Sequence, residues 1–164
     1  MRNNMKKSLR IIFNVSFIVY LIVLMFLLFL NSRNYFWMQD MSLLNYFKQT
    51  TNLVPFKTIS TYIKALFDQT MNIDIPIKNL VGNLIMFLPM GIYLPTFIKK
   101  LKRVGLFSLS MFSLLVIIEV LQLLTRRGSL DIDDFILNMF GALLGLSLWK
   151  KKSFQKFLIN LFDK

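Results

Sequence analysis

The sequence predicts an all-α membrane protein, a bundle of four transmembrane helices with both termini cytoplasmic. Three observations carry that expectation. Apolar residues make up 55 % of the 164-residue chain and aromatics 15 %, more than a soluble domain of this size carries. Those residues are gathered into runs long enough to cross a hydrocarbon core of about 30 Å. The cations, behind a formal net charge of +12, flank the runs and do not form the basic face of a soluble nucleic-acid module. The expected partner is therefore the lipid bilayer, and nucleic acid is not one.

The elements follow in order. The first run, 9–30, has twenty-two residues, about 33 Å as a helix. No small-residue cleavage site follows it, so it reads as a retained helix. In "TISTYIKALFDQ", 58–69, Ile59, Tyr62, Ile63, Leu66 and Phe67 recur at helical spacing, which predicts an interfacial amphipathic helix. The second span, 80–98, carries Asn83, Pro89, Gly91 and Pro95 and should be kinked, because each proline frees backbone groups that must find partners inside the bundle. The third span is 104–125. The fourth, 134–149, ends on Trp149, expected as an interfacial anchor. A second amphipathic helix, 151–163, places Phe154, Phe157, Leu158, Leu161 and Phe162 above a lysine-rich face suited to anionic lipid. No internal repeat divides the chain, and 1–164 reads as one domain.

Orientation follows from Lys and Arg. Segment 1–10, "KKLKR" at 99–103 and the tail from Lys150 together hold thirteen of the twenty cations. With four spans these segments share one side, which the positive-inside rule makes cytoplasmic. The stretch 119–138, "EVLQLLTRRGSLDIDDFILN", then faces outward. Its carboxylates, arginines and amides are costly wherever they lie in lipid, so function is expected there.

Depth along the helices gathers these residues. Glu119 lies six residues before Thr125, about 9 Å inward, with Gln122 on the same face. Asn79 and Asn83 open the second span, and Asp134 and Asn138 open the fourth. Asn83, Glu119, Gln122, Asp134 and Asn138 should therefore meet beneath a loop holding Arg126, Arg127, Asp131 and Asp133. Asp133 points about 100° from Asp134 and is expected to be solvated and expendable. A plainer role for Asp134 is to complement the helix dipole and cap free N–H groups, which would account for one Asp but not for three. Plainer roles remain open at this point: interhelical hydrogen bonds for Asn83 and Asn138, and protonation of Glu119 or its pairing to Arg126 or Arg127. Gly141 and Gly145 form a GxxxG packing pair on roughly the face of Asp134 and Asn138, and Pro89 and Gly91 belong with them as packing residues.

The chemistry is restricted by what is missing. There is no cysteine and no histidine, which excludes disulfides, thiol chemistry and Ser-His-Asp arrangements. No organic cofactor is expected. Glu119, Asp131 and Asp134 offer only oxygen, so a divalent metal there would be Mg²⁺, Ca²⁺ or Mn²⁺.

Four ordered pieces carry a family resemblance: "NLVPF" at 52–56, "NLIMFLPMG" at 83–91, "EVLQ" at 119–122 and "DIDDFILNMFGALLG" at 131–145. In this order and spacing the chain resembles the VanZ-like family, bacterial membrane proteins named after one associated with reduced susceptibility to teicoplanin. Asp131, Asp134, Asn138, Gly141 and Gly145 fall at the family's spacing. One position departs: many members carry an Arg three residues before Asp131, where this chain has Gly128 preceded by Arg126 and Arg127. The resemblance implies a multi-pass protein of the bacterial cytoplasmic membrane, acting in antibiotic resistance at the cell envelope, without implying a reaction.

Three function classes remain open from the sequence. The first is a non-catalytic modulator whose outward polar site engages a lipid-linked cell-wall component or lipoglycopeptide. The second is a metal-dependent enzyme acting on a lipid-linked substrate. The third is a small transporter, which four helices without a repeat would support only as a homo-oligomer.

Overall fold

A computed structural model of the chain describes residues 2–30 and 41–162, with side chains for 6–30, 41–156 and Leu158. Among these described residues eight α-helices follow in order: α1 (Arg2–Met25), α2 (Leu43–Thr50), α3 (Lys57–Asp68), α4 (Asp74–Met86), α5 (Met90–Phe97), α6 (Val104–Leu124), α7 (Ile132–Lys150) and α8 (Lys152–Phe162). A π-helical turn, Phe26–Leu30, extends α1, and a 3₁₀ turn, Lys99–Lys102, links α5 to α6. Four spans of the described residues are long and apolar enough to cross a membrane: Lys6–Leu30, Asp74–Phe97, Val104–Leu124 and Ile132–Lys150. Their outer faces are bare hydrocarbon, with Ile12, Ile22 and Leu109 each more than 55 % exposed, a surface that lipid and not water would cover.

The second span starts earlier than its apolar run suggests, at Asp74, and is broken into α4 and α5 at Phe87–Pro89. Pro89 has no N–H to give, and Met90 N–H turns back to Phe87 O instead of Met86 O. The Met86 carbonyl is not left bare. Tyr20 of α1 donates its hydroxyl to it at 2.9 Å. Around that bond Phe17, Tyr20, Tyr93 and Phe97 stack α1 against α5, and the Ser16 and Tyr93 hydroxyls share a hydrogen bond at 2.9 Å.

α7 is the axis of the bundle, packing along both halves of the broken span. Glycines set the approach. A Cβ at Gly141 would overlap the Leu84 carbonyl oxygen, one at Gly145 the Leu88 carbonyl oxygen, and one at Gly91 the Ala142 carbonyl oxygen. The GxxxG pair thus seats α7 on α4 and α5 at backbone contact. Below this seam Phe87, Met90, Phe107, Met111, Leu115, Leu146 and Trp149 form the core.

Trp149 is not an interfacial anchor. It is 3 % exposed, donates Nε1–H to Thr96 Oγ1 at 2.9 Å, and lies under Lys102 Nζ. The broken second span leaves room beside α7 that the indole fills. On α8, Leu158 is buried in the core and Phe154 packs against it, so part of the expected lipid-facing stripe is turned to the protein. Phe157, Leu161 and Phe162 lie outside the described side chains. α2, a helix of eight residues, has no apolar run in the sequence to announce it.

Candidate functional site

Three aspartates at the start of α7 have three different tasks. Asp131, and not Asp134, is the N-cap: its Oδ1 accepts from the Asp133 N–H at 2.9 Å. The same carboxylate accepts from Asn52 Nδ2 at 3.1 Å and from the Thr58 hydroxyl at 2.6 Å. Asn52 and Asp131 also form the isolated parallel bridge of the described residues, with Asn52 N–H donating to Leu130 O and Ile132 N–H to Asn52 O.

Asp133 is the clearest correction. It is fully buried, not solvated, because the 52–59 segment folds over the start of α7. Its Oδ1 accepts the Phe56 N–H at 2.6 Å, and its Oδ2 accepts the N–H groups of Thr58 and Ile59 at 2.7 and 3.0 Å. These are the orphan donors at the N-terminus of α3, whose own N-cap residue, Phe56, provides no side-chain acceptor. Asp133 caps α3 from another helix, and three charge-assisted bonds offset the burial of its charge. With this cap in place Phe56 holds φ at 65°, a left-handed conformation unusual for a non-glycine residue.

Asp134 points the other way, into the bundle, where Asn83 of α4 donates Nδ2–H to its Oδ1 at 2.5 Å. Here the polar residues of three spans do come together. A cavity of about 290 Å³ is lined by Asn79 and Asn83 of α4, Glu119 and Gln122 of α6, and Asp134 and Asn138 of α7. Leu27, Leu28 and Met86 supply its apolar side; Lys78, Arg127, Gly128 and Ser129 complete it. Gln122 Nε2 donates to the Leu28 carbonyl at 2.8 Å, tying the end of the first span to the third. Asn79 Nδ2 donates to the Tyr62 hydroxyl at 2.9 Å, bringing α3 to the cavity wall.

Two buried oxygens in this lining have no hydrogen-bond partner: Oε2 of Glu119 and Oδ1 of Asn138. Glu119 stands at a divide. On its other side is an apolar crevice of about 170 Å³ between α6 and α7, lined by Phe112, Val116, Val120, Leu130, Ile132 and Phe135 together with Asp131. Lys78 pairs with Asp74 at 3.7 Å on exposed α4; among the described residues no Glu119–arginine pair of the kind left open by the sequence is formed. Arg126 closes α6 with φ 53° and is not part of the lining, whereas Arg127 is. Asp131 borders the apolar crevice only. Among the described residues no three acidic side chains gather as a metal-holding group.

The departure at Gly128 has a local reason. A Cβ there would meet Gln122 Cβ at 3.1 Å, and the Gly128 carbonyl accepts the buried Tyr46 hydroxyl at 2.8 Å. A larger residue would crowd the glutamine that holds Leu28. Asn52, Thr58, Tyr46 and Asn79 are the residues whose tasks sequence reasoning did not assign. "NLVPF" is one of the pieces that carry the resemblance, but nothing local says that its Asn reaches across to Asp131.

With this geometry in place, the family model described as VanZ/LLP1 matches residues 17–158. The chain belongs to the VanZ/LLP1 family. That match covers three of the spans whole, the first from residue 17, and every residue that lines the cavity. No curated protein matches the sequence, and no solved structure matches the fold. Membership and four apolar spans make this a VanZ/LLP1 multi-pass membrane protein.

Proposed function

We propose that this VanZ/LLP1 protein sits in the bacterial cytoplasmic membrane with both termini inside and its polar cavity toward the outer side. There it engages a lipid-linked cell-wall component or a lipoglycopeptide, and so lowers susceptibility to teicoplanin-type glycopeptides or other envelope-targeting drugs. The observation that carries this reading is the cavity itself: carboxylates and amides from three spans, two of their oxygens without a partner, in a region lipid would otherwise fill. Buried acceptors without donors cost about 1–3 kcal/mol each, a cost that a bound ligand removes. The excess of cations in 1–10, 99–103 and the tail supports the orientation.

The reading is one of binding. The lining offers carboxylates, amides, a serine and two cations, which recognise polar groups, and no side chain in it is paired to an adjacent base as an activated nucleophile would be. The test is drug susceptibility of a sensitive host expressing the wild type, Glu119→Gln or Asp134→Asn at equal membrane levels. Protection by the wild type and its loss in both variants is the expected result. Undiminished protection in both would exclude the cavity.

A further inference from the structure

The cavity's hydrogen-bonding inventory is unbalanced in a directed way. Its depth is rich in acceptors: Glu119 Oε2 and Asn138 Oδ1 are buried without partners, and Asn138 is only 6 % exposed. The side-chain amides that could donate are engaged elsewhere, Gln122 with the Leu28 carbonyl and Asn83 with Asp134. Two acidic side chains, Glu119 and Asp134, also line it. The mouth carries the cations of Lys78 and Arg127, both exposed. At about 290 Å³ the space lies at the small end of ligand sites. It admits a headgroup, or one polar group of a larger ligand.

Resting on the reading of this cavity as a ligand site, we propose that it takes a primary-amine-bearing phospholipid headgroup, ammonium inward to Glu119 and Asn138, phosphate outward to Lys78 and Arg127. The primary ammonium supplies three N–H donors, enough for both partnerless oxygens. A quaternary ammonium carries the same charge and no N–H, so it leaves them unmatched. An anionic headgroup without an amine places no cation beside the carboxylates. Leu27, Leu28 and Met86 form the apolar wall along which the acyl chains leave toward lipid.

The test is competitive lipid retention by the full-length protein, purified from nanodiscs holding equal phosphatidylethanolamine, phosphatidylcholine and phosphatidylglycerol and analysed by native mass spectrometry. The expected result is retention of phosphatidylethanolamine over phosphatidylcholine by roughly tenfold, the size of a hydrogen-bond set to a charged group. Glu119→Gln should erase that preference. Lys78→Ala combined with Arg127→Ala, both at exposed positions and so expected to fold, should weaken retention of all three lipids while keeping the order. Equal retention of phosphatidylethanolamine and phosphatidylcholine by the wild type overturns the proposal, as does an unchanged preference in folded Glu119→Gln. Soluble O-phosphoethanolamine in excess should fail to displace the lipid; full displacement would overturn the lipid assignment. A wild type that protects cells yet binds both lipids alike would sink this ligand class and leave the functional reading standing. Amine selectivity in a protein that protects no cell would do the reverse.

Discussion

Asn83 of α4 donates to the carboxylate of Asp134 on α7 at 2.5 Å, so the polar cavity is closed on one side by a direct bond between the second and fourth spans. On α7 the bond sits about two turns before Gly141, which meets the backbone of Leu84, the neighbour of Asn83. Hydrogen bonding and close packing therefore act on the same helix seam. A double-mutant cycle of Asn83→Ala and Asp134→Ala should give a coupling energy of about 1 kcal/mol, in the range of interhelical bonds within membranes. Thermal unfolding in detergent measures it. Additive losses would mean that the two residues act independently.

Asp133 should prove one of the least replaceable residues of its motif. Asp133→Ala leaves three N–H groups of α3 without their acceptor, and a lost cap alone costs about 1 kcal/mol, with more for buried donors. The expected outcome is a lower unfolding temperature together with early tryptic cleavage at Lys57 and Lys64. Asp133→Asn, which keeps one acceptor oxygen, should fall between the two. Wild-type stability in Asp133→Ala would show that α3 does not depend on its borrowed cap.

The glycines divide into two groups. Gly91→Ala, Gly141→Ala and Gly145→Ala each force a methyl against a backbone carbonyl, and overpacking of this kind costs about 1–3 kcal/mol. At Gly82 and Gly105 a Cβ meets nothing within 4 Å, so alanine should be neutral or stabilise by up to about 1 kcal/mol, the difference in helix propensity. Unfolding temperatures of the five variants provide the comparison. Similar behaviour in both groups would remove the case for a backbone-contact seam.

Much of this was legible in the chain itself, for identifiable reasons. Hydropathy finds spans because lipid imposes an unbroken apolar run, and Pro89 marks the break because no proline can donate the missing bond. Glu119, Asn83 and Asn138 could be brought together because helical rise converts residue offsets into depth. What stayed hidden depends on chain crossings with no local signature. Asp133 was expected in water because its neighbours along α7 were the only ones in view, yet its partners, Phe56, Thr58 and Ile59, are 74 to 77 residues away. Trp149 looked like an anchor for the same reason: its partner Thr96 belongs to another span. Position along the chain groups Asp131 with the ligand-facing carboxylates, whereas Asn52 and Thr58 bond to its oxygens.

The placement of the cavity on the outer side is open to direct measurement, since the chain has no cysteine and every introduced thiol reports alone. Ser129 lines the cavity and Lys100 lies in the cation-rich turn between α5 and α6. In intact cells, a membrane-impermeant maleimide should modify Ser129→Cys without permeabilisation and reach Lys100→Cys only after it. The reverse pattern would contradict an outward-facing polar site.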